Sequence, residues 1–447
     1  MTASKIQLRY LALTLIVLAA AILRIYVVIN TNVNDPIRAD AEKYASYAYN
    51  LKNFGIYSLT PPQDKADSSL IKPDALVSPG YPLFLMPFVD AIIFTPLHYK
   101  AILIVQAVLS AITVLMVYFI FTKIAGAAAG LLTATLTALS PHLMNMNVYV
   151  LTETLFCFFL VAFILSISQK SAFDRPLIMI LAGCLLGAAT LTRPWTQGFI
   201  FILLIYTFFF TPKTSWRNAA SLLIGFGLVI TPWVIRNYIN LGFASDPSLS
   251  IISIYHGSFP NMMYKNIPNS FGFAYRWDPR AGELSSSFPA LWAELVNNFH
   301  SDPWSYIKWY GLGKINAVFA WNISGGVGGV YVYPLTDTPF RSDLLFGIIQ
   351  FFMYTIHNAL TIAGLMMCCL IWLPRRYFSF NAEGILIARC ISLLFFYFVI
   401  LHIIGAPYSR YSIPMRPLLY GMAIVGIITT WTRAKNLVTK FAPHKNR

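Results

Sequence analysis

The residues that could support chemistry are two acids and four cations set in otherwise apolar sequence. The acids are Asp40, in DAEKY, and Glu153, in VLTETLF. A fixed carboxylate can take the proton from a hydroxyl group, and arginine binds phosphate oxygens through two parallel hydrogen bonds. The set therefore predicts a site where a hydroxyl attacks and a phosphate departs. The cations are Lys43, Arg193 in LTRPW, Arg236 in TPWVIRNY and Arg410 in SRYSIPMRP.

Each of these residues also has a plainer interpretation. Asp40 could simply cap a helix, Glu153 could be an acid at a helix start, and Lys43 could be a surface cation. Each arginine could anchor its helix at the lipid headgroups. Two acids with several arginines at one depth favour a functional site. The histidines show no metal-ligand spacing, and a hydrolase with two carboxylates around one sugar bond stays open.

An amphipathic helix is predicted to position Asp40 and Lys43. Residues 41–52 are helix formers, and the apolar ones recur at helical spacing on one face. Asp40 stands at the N-cap position, and Gly55 follows as a helix stop. Such a helix beside a membrane span is expected to lie on the bilayer surface. Its apolar face carries Ala41, Tyr44, Ala45, Ala48 and Leu51.

The composition is that of a polytopic membrane protein. Of the 447 residues 57% are hydrophobic and 11% charged, and the mean hydropathy is +0.64, far too apolar for a soluble chain. The net charge of +15 lies mostly in short polar breaks between apolar runs, which indicates the positive-inside rule and anionic lipid rather than nucleic acid. We therefore predict an all-α fold with about 10–12 transmembrane helices. Ten runs are long or apolar enough: 11–29, 101–121, 127–143, 155–167, 177–191, 199–210, 219–233, 344–373, 385–404 and 418–431.

The charge distribution also predicts a topology. The run at 81–94 holds three prolines, so we interpret it as a short surface or half-inserted helix and not as a crossing. Lysines and arginines of the short loops then fall on one side, the cytoplasm, with both termini. The periplasmic or extracellular face receives two long loops with surface helices. The predicted divisions are a catalytic module at 1–240 with the first outer loop at 31–100, an acceptor region at 241–343, C-terminal helices at 344–432 and a basic tail at 433–447.

Six motifs in this order resemble the bacterial branch of the GT-C glycosyltransferases, which is similar to protein O-mannosyltransferases and lipid A aminoarabinose transferases. The motifs are DAEKY, SPGYPLFL, VLTETLF, LTRPW, TPWVIRNY and RYSIPMRP. The resemblance implies a catalytic acid at Asp40, a second acid near the acceptor at Glu153, and donor phosphate contacts at Lys43, Arg193, Arg236 and Arg410. Tyr44, Tyr81 and Tyr411 lie inside the matched motifs and are expected to support the site.

The resemblance implies an inverting transfer of a sugar, a hexosyl or pentosyl group, from a polyprenyl-phosphate donor. The acceptor would be a hydroxyl of a glycan, glycolipid or protein at the non-cytoplasmic face. Where the family often has a second acid next to the first, Ala41 stands here, so no cofactor is called for and a divalent metal stays possible. The alternative is a transporter or flippase of a lipid-linked anion, although ionisable residues in mid-span and internal repeats are not evident.

Overall fold

The structure is a computed structural model, and it describes residues 3–60, 71–89, 96–169, 172, 175–210, 215–378 and 380–441. Nearly all regular structure in this part of the chain is helical. The α-helices are α1 (Ala3–Ile29), α2 (Asp40–Phe54), α3 (Gly80–Leu85), α4 (Pro96–Ala125), α5 (Ala127–Leu139), α6 (Pro141–Asn145), α7 (Glu153–Ile167), α8 (Pro176–Thr192), α9 (Phe199–Phe210), α10 (Ser215–Leu241), α11 (Ser248–Gly257), α12 (Ala281–Ser286), α13 (Phe288–Ser301), α14 (Pro303–Lys308), α15 (Lys314–Phe319), α16 (Pro339–Ser342), α17 (Leu344–Leu370), α18 (Ala382–Ile404) and α19 (Arg416–Phe441).

The predicted all-α membrane fold is confirmed. Six described helices are long and apolar enough to cross a bilayer, or up to seven if α5 and the segment Pro141–Val148, bent by 52°, form one span. Three shorter apolar helices, Glu153–Ile167, Pro176–Thr192 and Pro194–Phe210, complete the set. Nine of the ten predicted runs overlap one α-helix each, and the run 127–143 is divided between α5 and α6. A backbone inside lipid must satisfy its own hydrogen bonds, which favours helices.

The buried centre of the bundle lies around α4 and the last helix. In the most apolar window of these two spans 61% and 72% of the residues are buried, against 28% for α1 and 22% for α10. Glycine allows the close approach at this centre, since a Cβ at Gly421 would lie 1.9 Å from the Phe121 ring. The helices α1 and α10 therefore face mainly outward, and α4 and α19 form the packed interior.

The two long loops are joined to each other. Strand β1 (Asn32–Val33) in the first loop pairs antiparallel with β2 (Leu335–Asp337) in the second. The amide of Asn34 extends the contact by donating to the carbonyl of Pro334 at 2.9 Å. The second loop carries α11–α16, so the prediction of surface helices in both loops matches the observed elements.

The run beginning at Tyr81 is short, as predicted. It forms α3 followed by a 3₁₀ turn at Met86–Phe88, which is too few residues to cross a bilayer. Residues 90–94 of the run lie outside the described part of the chain, as do 61–70 of the first loop and 442–447 of the predicted basic tail.

Helix α2 corrects one detail of the prediction. The N-cap position belongs to Ala39 and not to Asp40, which is the first helical residue, and no side chain caps the helix. Gly55 does end it, with φ 69° and its amide on the carbonyl of Leu51. The buried residues include Ala41 and Ala48 of the predicted face but also Tyr47 and Asn50 on other faces. The helix is therefore enclosed by protein on several sides.

Candidate active site

Four separate elements bring the predicted acids and two of the arginines together. Asp40 begins α2 and Glu153 begins α7. Arg193 is the first residue after α8. Arg410 lies in the 3₁₀ turn Ser409–Met415, between α18 and α19. Each functional side chain therefore sits at or next to the terminus of a helical element.

The guanidinium group of Arg410 contacts both acids. Its Nη2 donates to Asp40 Oδ2 at 2.8 Å, and its Nε lies 3.1 Å from Glu153 Oε1. Arg193 Nη1 approaches the same Glu153 oxygen to 3.3 Å. Lys43 Nζ lies 4.0 Å from Asp40 Oδ1, one helical turn away. The cluster thus holds three cations for two acids, which leaves one positive charge in excess.

Glu153 is the most enclosed member of the cluster. Its side chain is 2% exposed, whereas that of Asp40 is 36% exposed. Although Glu153 Oε1 lies within ion-pair distance of both arginines, neither of its carboxylate oxygens has a well-aligned hydrogen bond within the described chain. A buried charge is tolerated only when it is paired, and the two guanidinium groups supply the pairing for this carboxylate.

The carboxyl group of Asp40 has a lowered pKa. Burial by itself would raise the pKa, but the charge and hydrogen bond of Arg410 outweigh it, with smaller contributions from Lys43 and Arg193. Asp40 is therefore ionised at neutral pH. It is also the acid of the pair that solvent or a substrate can reach.

The three predicted tyrosines line this cluster. The guanidinium carbon of Arg193 lies 4.8 Å from the centre of the Tyr411 ring, a distance typical of a cation–π contact. Tyr44 and Tyr81 pack edge to face at 5.1 Å, and the Tyr81 hydroxyl donates to Gln106 Oε1 at 2.8 Å. The rings form an apolar wall that raises the strength of the charge interactions beside it.

Arg236 is not brought into this cluster by any of its observed contacts. Its Nη1 and Nη2 each donate at 2.7 Å, to the carbonyls of Asp74 and Tyr57. The guanidinium also packs on the rings of Tyr57 and Trp233. These contacts give Arg236 a role in holding the first long loop on α10, which the sequence motif alone does not reveal.

Two further residues adjoin the site and were not predicted. Tyr333, just before β2, has its pKa raised to about 12, by burial first and then by the charge of Asp40. Arg38 lies over the Tyr333 ring at 5.7 Å. Between Arg38 and Asp40, Ala39 adopts φ 52° and ψ −114°, a strained backbone for a residue other than glycine. The sequence signal for Arg38 was its proximity to Asp40. Tyr333 had no such signal.

The acids do not form a fitting set of ligands for a divalent metal. Asp40 and Glu153 each already face a guanidinium group. No group of three His, Cys, Asp or Glu side chains suited to a metal occurs among the described residues.

Comparisons with known proteins give the fold of the chain and a family match over part of it. The chain has the fold of the GT-C superfamily of membrane glycosyltransferases, in agreement with the resemblance of its motifs. More narrowly, residues 82–235 match the family model of dolichyl-phosphate-mannose-protein mannosyltransferase. No curated protein sequence matches the chain.

Solved structures of an archaeal oligosaccharyltransferase share the fold, and one further structure is similar to a lesser degree. The oligosaccharyltransferase AglB of Archaeoglobus fulgidus, in complex with an inhibitory peptide and a dolichol-phosphate, matches 100% of this chain and 53% of its own, with a TM-score of 0.52 and 12% identity. The A. fulgidus oligosaccharyltransferase tethered to an acceptor peptide matches 97% of this chain and 51% of its own, with a TM-score of 0.52 and 14% identity. ArnT from Cupriavidus metallidurans bound to undecaprenyl phosphate covers 97% of this chain and 81% of its own at a TM-score of 0.40 and 14% identity. The chain spans about half the length of the archaeal enzymes.

Proposed function

We propose that this protein is an inverting glycosyltransferase that moves a sugar from a polyprenyl-phosphate donor to a hydroxyl group of a glycan, glycolipid or protein. The observation that carries the proposal is the shared guanidinium of Arg410, which joins an accessible acid, Asp40, to a buried one, Glu153. The excess positive charge of the cluster suits a phosphate, and Asp40 suits a hydroxyl proton. The dolichol-phosphate bound to AglB supports the choice of donor class.

The reaction balances with the groups of this site. Asp40 takes the proton from the acceptor hydroxyl while that oxygen attacks the anomeric carbon of the sugar. The bond from this carbon to the phosphate oxygen breaks, and the polyprenyl phosphate leaves with the electron pair. Because attack comes from the side opposite the phosphate, the anomeric configuration inverts. Arg193 and Lys43 would neutralise the charge that grows on the phosphate.

Arg410 would determine the order in which the donor and the acceptor bind. In the free protein it holds the pKa of Asp40 low, which makes that carboxylate a weak base. A donor phosphate beside Arg410 would compete for the same guanidinium and weaken the ion pair with Asp40. The pKa of Asp40 would rise as a consequence, so the base becomes stronger when the donor is in place. Donor binding thus prepares the site for the acceptor.

The proposed location of the reaction is the non-cytoplasmic face. The cations of the short loops support a cytoplasmic position for the termini and an outer position for the two long loops. Residues 241–343 would select the acceptor, because they form the larger of these loops. The catalytic module would lie within residues 1–240, completed by Arg410 from the C-terminal helices.

The replacement Asp40→Asn tests the proposed base. Cells that lack the gene would be complemented with the wild type, with Asp40→Asn, or with Glu42→Gln, which alters an exposed acid of the same helix. Mass analysis of cell-surface glycans, glycolipids and glycoproteins should show a sugar restored by the wild type and by Glu42→Gln. We expect Asp40→Asn to lose transfer while purified protein still binds polyprenyl phosphate in native mass spectrometry. Unchanged transfer by Asp40→Asn would refute the assignment.

A further inference from the structure

A fully buried arginine lies in the first membrane helix and has no part in the chemistry described above. Arg24 is 0% exposed and contacts no carboxylate among its observed partners. Its Nη1 and Nη2 donate to the carbonyls of Ala138 and Thr137 at 3.0 and 2.9 Å, at the C-terminal end of α5. A cation at this end of a helix satisfies carbonyls that the helix leaves unpaired. Arg24 thereby stabilises the bend between α5 and α6.

The third nitrogen of the Arg24 guanidinium contacts a serine. Its Nε donates to Ser110 Oγ at 2.8 Å. Because the serine oxygen accepts this bond, its own proton is available to donate elsewhere. No acceptor for that proton is observed within the described part of the chain. The hydroxyl of Ser110 is therefore an oriented donor next to a buried positive charge.

Ser110 lines a small internal cavity that Glu153 also lines. The cavity has room for about one water molecule. Its polar lining comes from three helical segments and is supplied by Ser110, Thr113, Thr137, Glu153 and Thr154. A site of this size with several polar neighbours retains water, whereas a purely apolar one stays dry.

Glu153 supplies the matching acceptor. Its Oε2 is buried and has no hydrogen-bond partner among the described residues. A buried carboxylate oxygen without a hydrogen-bond donor is costly. The arginines do not meet this need, since both approach Oε1.

We propose that this cavity is a binding site for one internal water molecule, which links Ser110 to Glu153. The chain of donors runs in one direction: Arg24 Nε donates to Ser110 Oγ, Ser110 donates to the water, and the water donates to the Glu153 carboxylate. Arg24 and Ser110 are thus positioning residues that act on Glu153 through this water. That this affects sugar transfer rests on the proposed function, whereas the water site itself does not.

A structure of the full-length protein in lipid nanodiscs, at a resolution that shows ordered water, tests the site directly. We expect a density peak within hydrogen-bond distance of both Ser110 Oγ and a Glu153 carboxylate oxygen. A cavity without such a peak, or a Glu153 Oε2 bonded directly to a protein group, would overturn the proposal. This readout does not depend on any transferase activity.

The replacement Ser110→Ala tests the link to Glu153. It removes the donor and leaves the bonds of Arg24 to the α5 carbonyls, so the fold is retained. Once the transferred sugar is identified, we expect kcat to fall on the order of tenfold with the KM for donor unchanged. The matched control is Ser166→Ala, whose buried hydroxyl donates to Phe163 in its own helix and lies outside the cavity. If the water is present in the wild type and kcat is unchanged in Ser110→Ala, the water only fills the cavity. That result would refute its action on Glu153.

Discussion

At the scale of single residues, the site depends on how Arg410 is shared. One guanidinium bonds the accessible acid and approaches the buried one, so a change at Arg410 alters the charge environment of both. Glu153 keeps a second arginine, Arg193, whereas the further cation within 4.0 Å of Asp40 among the described residues is the half-exposed Lys43. Asp40 is therefore the acid that responds most to the state of Arg410.

The replacement Arg410→Gln should change the pH dependence of transfer. In the wild type the lowered pKa keeps Asp40 ionised down to pH values below its ordinary pKa near 4. Activity should therefore hold at neutral pH and be lost only as the pH falls below that range. Without the charge of Arg410 the effect of burial remains, and the pKa should rise. We expect the acid limb of kcat/KM to move to higher pH in Arg410→Gln. Arg410→Lys keeps the charge and should leave the limb near its wild-type position; an identical limb in all three proteins would contradict the ion pair.

The strained backbone at Ala39 yields a stability prediction. Glycine tolerates φ 52° with ψ −114° at lower cost than alanine, so Ala39→Gly should raise the free energy of unfolding by about 1 kcal/mol. Thermal unfolding in one detergent measures the change. Ala45→Gly, in the regular part of the same helix, should lower the stability by about 1 kcal/mol. A destabilised Ala39→Gly protein would show that the conformation is not strained.

The sequence could identify the important residue types but not their pairings. Both acids and the arginines stood out because charge is rare in this chain and costly near lipid. Asp40 was expected to cap its helix, and instead its carboxylate is held by Arg410, some 370 positions away in the chain. Arg236 was expected beside the phosphate, yet loop carbonyls occupy its donors. Such partners are set by tertiary packing, which no local pattern encodes.

At the scale of elements, the close contact of α3 with the end of α8 positions Arg193. A Cβ at Gly80 would lie 2.6 Å from the carbonyl carbon of Leu191 and 2.7 Å from the amide nitrogen of Thr192. These are backbone atoms, so they cannot rotate away. The glycine of SPGYPLFL is therefore required for the turn that carries Arg193 to approach α3.

The replacement Gly80→Ala should disturb this turn. We expect a loss of stability on the order of 2 kcal/mol, because the added methyl group forces the two backbones apart. Donor binding should weaken as Arg193 moves from Glu153. Thermal unfolding and native mass spectrometry with polyprenyl phosphate measure the two effects. The control is Gly282→Ala in α12, where a Cβ would meet open space; equal behaviour of the two variants would mean that the contact is unimportant.

At the scale of the whole molecule, the all-helical membrane fold was the most predictable feature. The bilayer demands long apolar helices, and these are visible in composition alone. Which helices form the centre was not predictable, since α1 and α4 are similarly apolar and yet differ in burial, 28% against 61%. The pairing of β1 with β2 was also beyond the sequence, because strands of two and three residues carry no pattern.

Cysteine labelling checks the proposed orientation. Helix α17 is long enough to cross the bilayer, so its two flanking loops should lie on opposite faces. In a background without the five native cysteines, Gly282→Cys should react with an impermeant reagent applied outside the cell. Arg375→Cys should react only after the membrane is opened. The reverse pattern would place the site in the cytoplasm and refute the proposed location.

The short sheet between the two loops restricts how this scaffold could gain a new specificity. Asn32 pairs with Asp337 and Val33 with Leu335. A recombination event that replaced only one of the two strands would therefore pair it with a strand from a different parent. Transplants between relatives should then succeed when both segments come from the same parent. Diversification by exchange would accordingly proceed through paired inheritance of regions far apart in the gene.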